Sequence, residues 1–185
     1  MMPVHPNHAV HPNHIAGLEI EVAGAVGHGA NGLSAFDDAL HLCGLANRNM
    51  INLSSVIPPA STIAEVDRID PPGRWGDRTY VVMANERTEE IHTEVWAGVG
   101  WAIDPSTGAG VMVEHEGRSE TKVTGEIADS LDELIARRPE VELSERGAHV
   151  VGGVCAGKGT CALVIAHFLT VGWDQDPNGL STPPL

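Results

Sequence analysis

Gly159 to Trp173 reads GTCALVIAHFLTVGW, without a single Asp, Glu, Lys or Arg. A segment this apolar has to be covered on all sides, because each fully buried aliphatic side chain contributes about 1.5–3 kcal/mol relative to exposure. The run is too short for a membrane span, which needs about 18 or more apolar residues in succession. Its continuity is read as a buried helix, around which the rest of the chain must wrap.

A second helix is expected over SETKVTGEIADSLDELIARR. Ser119 is its cap, Val123, Ile127, Leu131, Leu134 and Ile135 lie on one face, and Arg137 and Arg138 sit at its negative C-terminal end. A third is expected from Ser34, with Phe36, Leu40 and Cys43 spaced to share a face. Strands are expected at LEIEVAGAVG, NMINLSSV, TYVVMANE, IHTEVWAGVGWAI, GAGVMVEHEG and GAHVVGGV. Glycines 27, 29 and 32 read as a loop, and the Pro- and Gly-punctuated stretch from Pro58 to Arg78 as a long connection. The alternation predicts an α+β sandwich in which helices cover sheet faces.

With 185 residues the chain suits one domain. That domain is expected over 17–173, between a His/Pro-rich leader (1–16) and a polar tail (174–185). The leader holds a tandem VHPNH, whose His5, His8, His11 and His14 offer imidazoles while Pro blocks the helix that would align them. No metal site is assigned. A net charge of −14 repels nucleic acid and attracts small cations. Cys43, Cys155 and Cys161 form no paired framework, which fits a reducing cytoplasm, and no membrane association is expected.

Two motifs suggest chemistry and fall short. GGVCAGKGT has the G-x-x-x-x-G-K spacing of a phosphate loop, but Gly159 stands where the Mg²⁺-binding hydroxyl belongs, so it reads as a strand-to-helix turn. His92, His115, His149 and His167 are scattered without metal-ligand spacing. In VEHEG, strand alternation sets Glu114 and Glu116 on one face and His115 on the other. The glutamate face meets either solvent or a pocket.

The remaining oddity is MINLSSVIPP. Two hydroxyls in an apolar strand each need a partner, which a structural role could supply from loop backbone. The segment LSAFDDALHLCGLANRNMINLSSVIPP resembles the pyruvoyl-dependent arginine decarboxylases, in the order and spacing of a helix with AFD, an Asn before a strand, a Ser-Ser pair, and Pro-Pro. VMVEHEG resembles that family's glutamate-bearing strand, and the likeness runs roughly from 17 to 173.

That resemblance implies a self-processing enzyme. Ser55 Oγ would attack the carbonyl of Ser54, with Asn49 stabilising the oxyanion. Elimination from the ester and hydrolysis would leave a chain ending in Ser54 and another beginning with a pyruvoyl group derived from Ser55. This covalent cofactor would form a Schiff base with an amino-acid substrate and accept the electrons released with CO₂. Glu114 would return a proton to the α-carbon, a task suited to a raised pKa. Asp37 would pair a guanidinium. The fold implied is a four-layer αββα sandwich with mainly antiparallel sheets, assembled as a trimer or dimer of trimers with active sites between subunits. Asp38, the Asp- and Arg-rich loop after Pro59, the leader and the tail depart from the family pattern. The reaction implied is arginine to agmatine and CO₂. The alternatives are the same chemistry on histidine, lysine or aspartate, or an unprocessed relative that binds a cationic metabolite or a partner.

Overall fold

The computed structural model describes residues 17–174. The histidine leader and residues 175–185 of the expected tail lie outside them. The elements are β1 (Glu19–Gly29), α1 (Gly32–Cys43), β2 (Asn49–Asn52), β3 (Val56–Ile57), β4 (Thr62–Glu65), β5 (Arg78–Thr88), β6 (Glu94–Ile103), β7 (Gly110–Gly117), α2 (Glu120–Ala136), β8 (Glu145–Val154) and β9 (Gly159–Val171). They form a five-stranded sheet in the order β2-β5-β9-β1-β4 and a four-stranded sheet in the order β3-β7-β6-β8. The first is mixed, since β4 runs parallel to β1 and β2 parallel to β5; every pairing in the second is antiparallel.

The run expected as a buried helix is β9, a strand. It is hydrogen-bonded to β1 on one side and β5 on the other, and both of its faces are covered. Ala162, Val164, Ala166 and Phe168 enter the core between the two sheets, while Cys161, Leu163 and Ile165 pack under α1. A central strand buried on both faces has no polar face and hence no period of two, so its pattern matches that of a buried helix segment. The GGVCAGKGT turn therefore joins two strands, with Gly157 at φ +103°, and not a strand to a helix.

Three cores follow from this layering. Ile20, Val22, Val82, Val95, Val99 and Met112 fill the space between the sheets. Ala35, Ala39, Leu40 and Cys43 of α1 close the outer face of the five-stranded sheet, and Val123, Ile127 and Leu131 of α2 close that of the four-stranded sheet. Burial pushes the thiol of Cys43 up to about 12 and that of Cys161 up to about 11, so neither is a thiolate nucleophile near neutrality.

The glycines expected as a loop after β1 belong mostly to the strand. A Cβ on Gly27 would sit 2.3 Å from both Ala35 O and Ala39 N, so the bare backbone is what lets α1 lie against β1. The α1 cap is Asn31, one turn earlier than expected. Its side chain accepts from the Ser34 N–H at 2.9 Å, and Ser34 serves at the third helical position of a capping box. Ser119 caps α2 as expected. The long connection after Pro58 contains β4, which continues the five-stranded sheet beyond β1. Among the described residues no helix is long and apolar enough to cross a membrane.

Candidate active site

The Ser54–Ser55 pair lies where the chain leaves β2 on one sheet and enters β3 on the other. Ser55 takes φ +64°, a left-handed conformation that costs an ordinary L-residue about 1–2 kcal/mol. Two contacts to β7 hold it there. The Met112 N–H donates to the Ser55 carbonyl at 2.8 Å, opening the β3–β7 ladder that continues with Val56 opposite Val111. The Ser55 hydroxyl donates to the Glu114 carboxylate, 2.9 Å from Oε2 and 3.1 Å from Oε1. Backbone strain retained by such over-determination clusters at functional positions.

Alternation along β7 explains why Glu114 and not His115 meets the serine. Met112 and Glu114 share the face that looks inward between the sheets, where Met112 is buried. Val111 and Val113 face α2 instead, and His115 joins them, its Nε2 2.8 Å from Ser130 Oγ and its Nδ1 3.7 Å from Glu126. The glutamate face thus carries one carboxylate onto the serine pair. On the same face, burial and then the neighbouring Glu86 raise the carboxyl of Glu116 above its ordinary value.

A cavity of about 410 Å³ opens beside this contact. Ser54, Ser55, Met112 and Glu114 form one wall, and Ser130, Glu133, Leu134 and Arg137 of α2 form another. The sequence does not mark these α2 residues as part of a site: their spacing speaks only of an amphipathic helix, and nothing in it ties the polar face to Ser55.

The two other expected residues stand elsewhere on the same chain. Asp37 is on α1, over the opposite sheet, with its carboxylate 3.6 Å from His41 Nε2 and 62% exposed. Its neighbour Asp38 accepts the His28 N–H at 2.8 Å and so ties α1 to β1. Asn49 starts β2, and its side-chain amide donates to the Gly76 carbonyl at 2.5 Å, an acceptor shared with the Trp173 indole N–H at 2.8 Å. Neither Asp37 nor Asn49 lines the Ser55 cavity. Of the scattered histidines, His149 lies 2.7 Å from Glu65, and His167 lies 3.0 Å from Thr170. Among the described residues, no group of three or more His, Cys, Asp or Glu is placed to hold a metal ion.

A family model described as pyruvoyl-dependent arginine decarboxylase matches residues 19–172. The chain belongs to that family. A pyruvoyl-dependent arginine decarboxylase of Thermoplasma volcanium is 30% identical over 115 residues, a match that spans 61% of this chain and 63% of that one. One from Halobacterium salinarum is 32% identical over 165 residues, 85% of this chain and 96% of its own length. Among solved structures, a pyruvoyl-dependent histidine decarboxylase is 14% identical, with a TM-score of 0.40, over 80% of this chain and 66% of that one. Within the matched span, the left-handed residue Ser55 carries its hydroxyl in contact with the carboxylate of Glu114.

Proposed function

We propose that the chain cuts itself between Ser54 and Ser55 and then decarboxylates arginine to agmatine and CO₂. The observation that carries this reading is the Ser55–Glu114 contact at 2.9 Å on the wall of a cavity, in a member of this family.

The chain's own residues account for the processing step. Glu114, as acceptor of the Ser55 hydroxyl, is placed to take its proton while Oγ attacks the Ser54 carbonyl and the peptide nitrogen leaves, giving an ester. The left-handed backbone at Ser55 and its pinned carbonyl limit how far the peptide can relax away from that attack. Loss of the α-proton of residue 55 then expels Ser54 as a carboxylate, and water replaces the nitrogen of residue 55 as ammonia departs. The pyruvoyl group left at position 55 supplies the electrophilic ketone that takes up the substrate amine and accepts the electrons released with CO₂. Glu114, already at that position, is the residue to carry a proton to the α-carbon.

Asp37 fits a carboxylate that binds the guanidinium, and Asn49 a donor for the processing oxyanion. With both outside the cavity of their own chain, the reading places them in sites shared between neighbouring subunits of a trimer or a pair of trimers. The net charge of −14 favours approach of a cationic substrate.

Intact-mass spectrometry should find residues 1–54 and 55–185 as separate chains, the second reactive toward carbonyl reagents. CO₂ release measured in parallel on arginine, lysine, histidine and aspartate should favour arginine. A single uncleaved chain without a ketone would leave the unprocessed, ligand-binding relative as the correct reading. Cleavage with release from a different amino acid would reassign the substrate.

A further inference from the structure

We infer that Arg137 binds the α-carboxylate of the substrate, so that one end of the amino acid is read by α2; this rests on the decarboxylase reading above. A substrate whose amine reaches position 55 has its α-carbon next to Glu114, because the two residues touch. The carboxylate is bonded to that same carbon and must lie in the same cavity. The walls there already hold the carboxylates of Glu114 and Glu133. The C-terminal end of α2, where Arg137 is the cap residue, adds the negative pole of the helix. An incoming carboxylate is repelled by all three unless a cation meets it.

Arg137 is the single lysine or arginine among the described residues lining the cavity. Its guanidinium is only weakly held. The contact it makes is with Glu133 at 3.3 Å, an i,i+4 surface pair in which both side chains are more than 70% exposed. Such pairs contribute only about 0.2–0.5 kcal/mol, whereas a hydrogen-bonded ion pair with a ligand carboxylate is roughly twice as strong as a neutral contact and can be bidentate. The neighbouring Arg138 is not equivalent: its guanidinium donates to the Leu134 carbonyl at 2.9 Å, and it faces a different groove. His115 is engaged by Ser130 and Glu126.

The product lacks the carboxylate, and this separates a carboxylate contact from a general effect on the site. Decarboxylation kinetics are measured for the wild type, Arg137→Ala and Arg137→Lys, each with arginine as substrate and agmatine as competing inhibitor. In Arg137→Ala the KM for arginine is expected to rise about tenfold or more, the range of a lost hydrogen-bonded charge, while the agmatine inhibition constant stays within about twofold. Arg137→Lys should recover part of the loss. An unchanged KM, or equal rises in KM and in the agmatine constant, overturns the assignment while leaving the decarboxylase reading in place. A wild-type protein that is cleaved or uncleaved but releases no CO₂ from any amino acid overturns both.

Discussion

The hydroxyl of Ser55 and the carboxylate of Glu114 are 2.9 Å apart although 59 positions separate them in the chain. β3 places the serine at the edge of β7, and the period of two along β7 turns Glu114 toward it. The strain at Ser55 and this contact can be tested separately from turnover.

Replacing Ser55 with Ala and with Gly should give uncut chains in both cases, seen as one mass by electrospray. The two variants should differ in stability. At φ +64° glycine is relieved of the steric cost that alanine bears, so Ser55→Gly should be the more stable by about 1 kcal/mol in urea unfolding. Equal stabilities would remove strain from the account of processing.

Glu114→Gln keeps the shape of the side chain and removes its charge. Self-cleavage should slow, and CO₂ release from whatever fraction is processed should fall by about 10²–10⁴-fold, the usual contribution of one acid–base group. A time course of fragment appearance and single-turnover CO₂ release measure the two effects independently. Full activity in this variant would displace Glu114 from both steps.

Acid sensitivity should trace in part to His167. Its ring is buried, Nδ1 has no hydrogen-bond partner, and burial, followed by the charge of Arg48, lowers its pKa below the ordinary imidazole value. The folded chain therefore takes up this proton less readily than the unfolded chain, so stability is complete above about pH 6.5 and is lost as the pH falls below it. Calorimetry at pH 7.5 and 5.5 should show a larger drop in Tm for the wild type than for His167→Gln, each kcal/mol corresponding to about 2–4 °C. Parallel drops would assign the acid sensitivity to other groups.

Gly27→Ala should destabilise by about 1–3 kcal/mol or more, as expected for overpacking. The added methyl would meet backbone atoms of Ala35 and Ala39 at 2.3 Å, and backbone cannot step aside as a flexible side chain can. Urea denaturation followed by circular dichroism measures it. A neutral outcome would mean that α1 rides more loosely on β1 than the close approach indicates.

The most apolar segment was the least legible in the sequence. β9 lost its strand signature because both faces are buried, one by α1 and the other by the second sheet, and only the neighbours on each side make that true. The small residues at the end of β1 read as a loop for a similar reason: Gly27 answers to a helix backbone that is not adjacent in the strand pattern. The amphipathic α2, with its single apolar face over one sheet, was readable down to its cap at Ser119.

Local pattern was enough to mark Ser54 and Ser55 as misplaced in an apolar strand and to put Glu114 and His115 on opposite faces, whereas the family came from the resemblance of whole segments. The first two are properties of side-chain type and of the two-residue period, which a chain carries wherever it folds. The pairing of β3 with β7 decided that Glu114 and not Glu116 meets Ser55, and the packing of α2 on the outer face of that sheet brought Glu133 and Arg137 to the same cavity. Asp37 and Asn49 were drawn away from it on the same chain. Contacts across 59 or more residues depend on which strand edges and helix faces meet, and that choice is made by burying apolar surface over the whole domain, not by any one segment.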